Sequence, residues 1–205
     1  AIIPVMQQGS CLIDCSTVDV TTARTLADEC NKASIMGLDA PVSGGQKKAA
    51  LGTLMVMAGG NAADLATATP LLDCFGTVAH VGPLGAGHAM KALNNYVSAA
   101  GLLASMQALA TAEAFGIRPD VFTKVINGST GRNNTTEVKL APFIVSRRYD
   151  SGFFLRLLAK DVGIAGDLMA AAGFDTPVTP ALTSYLDAAV AKLGADTDHT
   201  GLYEM

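Results

Sequence analysis

Gly82-Pro83-Leu84-Gly85-Ala86-Gly87-His88-Ala89-Met90-Lys91-Ala92-Leu93-Asn94-Asn95 separates two regions of different periodicity. Upstream, short apolar runs alternate with amphipathic segments. Residues 11–15 (Cys-Leu-Ile-Asp-Cys) form an apolar run after a Gly-Ser turn, and 35–39, 53–58 and 78–81 read in the same way, as buried strands. Between them, Val20, Ala23, Leu26, Ala27 and Cys30 recur at helical spacing over 20–33, and 62–75 reads as a helix interrupted at Pro70. This alternation predicts an α/β sheet with crossover helices. Downstream the period is helical over 86–115, 119–127, 157–172 and 180–193, with no strand expected after Val81. Asp120 and Asp161 are placed near helix starts, where the dipole favours acids. A helix over 86–115 would be about 45 Å long, enough to pass between two domains or two subunits.

The 205 residues carry 14 basic and 18 acidic side chains, a net charge of −4. Only 16% are charged, against about 25% in an average soluble chain, so much surface is expected to be buried in the fold or against a partner. Without basic blocks beyond Lys47-Lys48 and Arg147-Arg148, the footprint of a nucleic-acid binder is missing. The most apolar stretch is broken by Lys91, Asn94, Asn95, Gln107 and Glu113, so no membrane span is expected. Cys11, Cys15, Cys30 and Cys74 match no paired zinc spacing and read as buried, reduced thiols of a cytoplasmic protein. His80, His88 and His199 are scattered without carboxylate pairing, and no metal site is expected. The opening Ala1-Ile2-Ile3-Pro4 has neither initiator Met nor basic leader, and reads as part of something longer.

Several polar islands could carry chemistry. Asp39-Ala40-Pro41-Val42-Ser43-Gly44-Gly45 ends a strand in a turn, where α/β folds place ligands, and its two glycines leave N–H groups open to an anion. The ordinary alternative is a flexible loop. Gly82 to Gly87 has glycines in the order GxxGxG, not GxGxxG, with Pro83 removing a donor and no strand following; it reads as a close-packing boundary turn, not a nucleotide loop. Lys91 and Asn95 share a face of the most apolar helix. Desolvation there would lower a lysine pKa toward a value suited to proton exchange, whereas a snorkelling lysine with a surface Asn95 is the structural alternative. Asn127-Gly128-Ser129-Thr130-Gly131-Arg132-Asn133-Asn134 ends a helix, and Lys160-Asp161 follows Leu155, Leu157 and Leu158.

Together these islands resemble the β-hydroxyacid dehydrogenase family, of which 6-phosphogluconate dehydrogenase is a distant member. Asp14-Cys15-Ser16-Thr17 is similar to its D-x-S-T strand end. Asp39 to Gly45, followed by Ala49 and Gly52-Thr53-Leu54, is similar to its substrate motif, and Gly87 through Lys91 to Asn94-Asn95 to its G-x-x-x-K-x-x-N-N helix. Ser129-Thr130-Gly131-Arg132, Leu157-Leu158-Ala159-Lys160-Asp161 and Asp198-His199 resemble later motifs in the same order.

The resemblance implies the C-terminal part of a Rossmann sheet over 1–84 and an all-α substrate and dimerisation domain over 85–205, with a long interdomain helix. It implies NAD or NADP as cofactor and a small β-hydroxyacid or its semialdehyde as substrate. Lys91 would be the general acid/base, and Asn95 would hold Lys91 or the substrate oxygen. Ser43 with the Gly44 and Gly45 backbone, and Ser129, would bind substrate; Thr17 and Lys160 would meet the nicotinamide end. A homo-oligomer is expected. The family's first βαβ unit, with its G-x-G-x-x-G, would lie before Ala1, so weak cofactor binding by this chain is expected. Asn133 and Asn134 stand where many relatives have Ser and Trp. The His88 and Lys91 spacing resembles the 6-phosphogluconate branch, but Asn94 replaces that branch's His, which favours a small acid over a sugar acid. Lys91 argues against imine reductases. The competing reading is a non-catalytic assembly module held together by the long apolar helix.

Overall fold

Residues 2–174 and 176–205 are described by a computed structural model, in which the chain divides into two units, one ending at Leu93 and the other beginning at Asn94. The strands of the first unit are β1 (Cys11–Asp14), β2 (Met36–Asp39), β3 (Val42–Ser43), β4 (Leu54–Gly59) and β5 (Gly76–Gly82), with α1 (Val20–Lys32), α2 (Gly45–Ala50) and α3 (Ala62–Leu72) between them. β1 and β2 are parallel, with Asp14 opposite Asp39, and β4 and β5 are parallel as well. Each pair is joined by the expected crossover helix. The two pairs run in opposite senses, because β2 meets β4 antiparallel at Asp39 and Gly59, and β3 continues that antiparallel pairing with Val42 opposite Val56. β3 and α2 occupy the stretch read as a turn and loop. Elements of two and six residues carry too little period to register in a sequence.

Leu38, Val56 and Ala58 from the strands and Ala40 just after β2 pack with Leu65, Ala68 and Leu72, one face of α3. Pro70 does not interrupt α3, which continues to Leu72. It falls in the last turn, where few further helix bonds depend on it. Asn61 caps α3 by accepting the Ala63 and Asp64 N–H groups, and Asp19 caps α1 by accepting the Thr22 N–H. The expectation of buried thiols holds only for Cys30: Cys11 is half-buried, while Cys15 and Cys74 are exposed just beyond the ends of β1 and α3.

A remote side chain caps the next helix, α4 (Ala86–Ala114). The Asp39 carboxylate is fully buried; one oxygen accepts the Gly85 N–H at 2.8 Å and the other the His88 N–H at 2.7 Å. Gly85 has no side chain to serve these orphan donors itself. The close approach depends on glycines around it: a Cβ at Gly59 would lie 2.2 Å from an Asp39 oxygen, and one at Gly87 would lie 2.3 Å from the Met57 carbonyl. His88 also faces a carboxylate, Nε2 lying 3.4 Å from Asp14 Oδ2. The sequence expectation of histidines without carboxylate partners is corrected here and at His199, 3.6 Å from the adjacent Asp198; the His88 contact joins the end of β1 to the start of α4.

The second unit is helical: the remainder of α4, then α5 (Pro119–Asn127), α6 (Asn134–Val138), a π turn at Leu140–Val145, α7 (Leu155–Ala171), α8 (Val178–Leu193) and a 3-10 turn at His199–Glu204. Ala99, Leu102, Met106 and Leu109 of α4 pack with Leu155, Leu158 and Val162 of α7 and with Leu182, Leu186 and Ala189 of α8. α7 begins two residues before its expected start because the Leu155 and Arg156 N–H groups are taken by the carbonyls of Thr197 and Ala195, a tertiary cap with no local signature. Asp161 consequently lies in the second turn, not at the helix start. Asn133, by contrast, caps α6 locally in a capping box with Thr136.

Beneath the terminal turn, Asp198 accepts the Gly152 and Thr200 N–H groups and the Ser151 and Thr200 hydroxyls. The Lys139 ammonium reaches Ser98 Oγ at 3.3 Å; burial pushes its pKa down to about 8, with Asp198 opposing. Burial, aided by the charge of Lys139, pushes His199 down to about 4. Among the described residues no group of three or more His, Cys, Asp or Glu side chains converges as a metal site would, and no helix is long and apolar enough to cross a membrane.

Two stability predictions follow from these contacts. Asp39→Ala leaves the buried His88 N–H and the half-buried Gly85 N–H without their acceptor and is expected to destabilise the chain by about 2–5 kcal/mol in urea unfolding. Between pH 6.5 and about 4 the unfolded chain binds the His199 proton and the folded chain does not, so folding stability falls as pH drops through that window, by up to about 3 kcal/mol. The measurement is Tm against pH, in which His199→Gln is expected to fall less steeply than the parent.

Candidate functional site

In the first unit, the candidate residues follow the ends of strands. Asp14 closes β1, and its Oδ1 accepts the Ser16 N–H at 2.9 Å, shaping the turn that presents half-buried Thr17. Because Asp14 Oδ2 faces His88, this turn and the start of α4 share one end of the sheet. Lys91, also half-buried, stands one turn further along α4. Ser43 closes β3 opposite Met55, whereas Asp39 is opposite Gly59; four residues of β4 set these pairing points about 13 Å apart. Ser43 is thus farther along the sheet than the cluster of Asp14, Asp39 and His88.

Gly44 and Gly45 follow with φ of +143° and +69°. A side chain at Gly44 would strike Lys48 and Leu54, with a Cβ 2.8 and 2.9 Å from their atoms. Gly45 faces open space but holds a left-handed conformation that L residues resist. α2 has no side-chain cap, so its first N–H groups are left for solvent or an anion.

In the second unit, Asn95 is buried. Its amide donates to Asp161 Oδ2 at 2.5 Å, and its Oδ1 accepts from the Asn94 amide at 3.0 Å. The Lys160 ammonium lies 2.9 Å from Asp161 Oδ1. Two residues singled out from sequence, Asn95 and Lys160, therefore meet on one carboxylate. Asp161 itself was given no site role, being read as an acid near a helix start and as a member of the Lys160-Asp161 motif. Its spacing held the signal: three residues after Leu158 and four before Ala165, it falls on the face that α7 buries. A buried carboxylate needs cationic or hydrogen-bonding partners, and Asn95 and Lys160 supply them.

Ser129 is exposed beyond the end of α5, its hydroxyl donating to the Val125 carbonyl at 2.7 Å. With Asn127, Gly128, Thr130 and Arg132 it borders a shallow polar pocket. Asn127 donates to the Thr136 carbonyl, while its buried Oδ1 has no partner among the described residues. Arg132 lies 3.6 Å from Glu137. Asn133 is engaged as a helix cap and through Ser105 Oγ at 3.0 Å, so its side chain supports the loop.

Residues 1–82 match the sequence model of a family described as the NAD binding domain of 6-phosphogluconate dehydrogenase. Residues 85–205, more than half of the chain, match one described as NAD-binding of NADP-dependent 3-hydroxyisobutyrate dehydrogenase. The NAD-dependent L-serine dehydrogenase of Pseudomonas aeruginosa is 36% identical over 179 residues, 83% of this chain and 59% of that protein. Mitochondrial 3-hydroxyisobutyrate dehydrogenase of Mus musculus is 34% identical over 180 residues, 84% of this chain and 53% of that protein. The solved structure of Mycobacterium tuberculosis 3-hydroxyisobutyrate dehydrogenase with L-serine is similar with a TM-score of 0.89 at 32% identity, over 98% of this chain and 72% of that one. The chain spans little more than half the length of these two curated relatives. A mixed sheet followed by a helical unit, and the ordered motifs at Asp14, Ser43, Lys91 and Lys160, agree with these matches: the chain belongs to the β-hydroxyacid dehydrogenase family.

Proposed function

We propose that this chain serves an NAD(P)-dependent dehydrogenase or reductase that interconverts a small β-hydroxyacid and its semialdehyde. The observation that carries the reading is the arrangement on α4: a half-buried Lys91 one turn before a buried Asn95 whose amide is anchored by Asp161. Lys91 takes the proton from the substrate hydroxyl in oxidation and returns it in reduction. Asn95, held from behind, orients Lys91 or the substrate oxygen. Ser43 and the N–H groups of Gly44 and Gly45 receive the substrate carboxylate, and Ser129 is a further substrate-binding residue.

The residues present fit the nicotinamide end of the cofactor. Thr17 projects from a turn at the C-terminal end of parallel β1, where α/β folds take ligands, and Lys160 supplies a cation beside a buried carboxylate. When bound, the nicotinamide accepts or donates the hydride. The starts of α1, α3 and α4 are capped by Asp19, Asn61 and Asp39, which take some of the amides that a diphosphate would use.

A second property has its own support. Met90, Leu93 and Val97 are exposed apolar residues at helical spacing on α4, Val97 at 67%. We propose that this stripe joins copies of the chain. Val97→Glu is expected to lower the sedimentation mass, and an unchanged monomeric mass for both proteins would end the idea.

For catalysis, Lys91→Ala in the complete enzyme is expected to lower kcat by about 10²–10⁴ with nucleotide affinity unchanged. The assay pairs NAD and NADP with 3-hydroxyisobutyrate, L-serine, tartronate semialdehyde and 6-phosphogluconate. Activity within a few-fold of the parent would remove Lys91 as acid/base, and turnover of 6-phosphogluconate alone would replace the small-acid reading by the sugar-acid one.

A further inference from the structure

We infer that His88 is a positioning residue for this reaction: with Asp14 it couples the turn carrying Thr17 to the first turn of the helix carrying Lys91. The inference rests on the roles proposed for Thr17 and Lys91.

His88 is fully buried. Neither ring nitrogen has a hydrogen-bond partner among the described residues, and the polar group facing the ring is Asp14, its Oδ2 3.4 Å from Nε2. The His88 backbone is held as well, its N–H donating to Asp39 at 2.7 Å. Packing alone does not call for a histidine here. An apolar side chain would fill the same space without desolvating two ring nitrogens, so the polar contact is what distinguishes the residue.

Asp14 is placed to pass that contact on. Its second oxygen accepts the Ser16 N–H, which sets the turn leading to Thr17. Its backbone is fixed from the other side, the carbonyl accepting the Ala40 N–H at 2.7 Å, and it is paired in register with Asp39. The two adjacent strand-end carboxylates thus divide the first turn of α4 between them. Asp39 holds its backbone, and Asp14 meets its one buried ring. Lys91 follows His88 by three residues, on the next turn, so a shift of the helix start is carried directly to its ammonium. Proton exchange depends steeply on such placement, with about 10²-fold lost for a 1 Å error.

The test is a double-mutant cycle on the complete enzyme with His88→Leu and Asp14→Asn. Each single variant is expected to lower kcat about tenfold or more with the KM for the acid changed less than threefold, and the double variant to be no slower than the worse single one. His88→Gln, which can donate to Asp14 from the same place, is expected to recover most of kcat. A readout free of activity uses the 205-residue chain labelled with nitrogen-15. Its His88 ring N–H is expected to exchange slowly with solvent, and quickly in Asp14→Asn. If His88→Leu does not fold, His88→Gln, Asp14→Asn and the ring exchange carry the test. Single effects that multiply in the double variant, unchanged kcat in a folded His88→Leu, or ring exchange indifferent to Asp14 would each overturn the coupling. Loss of the general-base reading is a separate outcome. It shows as Lys91→Ala retaining activity, whereas failure of the coupling leaves Lys91→Ala inactive and the cycle additive.

Discussion

The Asp39 carboxylate, buried at the point where the parallel and antiparallel parts of the sheet meet, accepts two N–H groups from the start of α4. Backbone amides at a helix start need acceptors, and a helix that opens on glycine has none of its own. Supplying them from a strand end fastens the helix to the sheet by charge-assisted hydrogen bonds, the stronger kind. Everything proposed for Lys91 depends on that attachment, because the lysine stands less than two turns beyond it. The glycines at positions 59 and 87 leave the carboxylate and the backbone room to meet.

A second buried carboxylate plays the corresponding part in the helical unit. Asp161 holds the Asn95 amide and faces Lys160, so a residue read from sequence as a dipole partner organises two candidate site residues. Both acids are surrounded by apolar sequence. Stranded there without partners they would be strongly destabilising; with two backbone donors on Asp39, and an amide donor and a neighbouring ammonium on Asp161, they fix geometry. The terminal cluster shows the other side of burial. Lys139 and His199 are pushed toward their neutral forms and make stability depend on pH.

Much of this architecture was legible in the chain. The 3.6-residue period marked α1, α3, α5 and the long α4 closely, and apolar runs located β1, β2, β4 and β5. The order of the motifs carried the family. Other features were illegible for physical reasons. β3 is two residues long and α2 six, too short for a period to form. The start of α7 is set by the carbonyls of Thr197 and Ala195, some 40 residues away. Three of the four cysteines are not deeply buried, because apolar character does not say on which side of a strand end a residue falls.

The sequence by itself determined the longer strands and helices, where the sheet region gives way to helices, and which residue types stand on α4, because these depend on local period and composition. The tertiary structure alone decided which acid serves which donor: Asp39 for the start of α4, Asp14 for His88 and Asp161 for Asn95. Those partners are separated by 46, 49, 74 and 66 positions. Only the folding of the sheet and the packing of the helices bring them within hydrogen-bonding or ion-pairing reach.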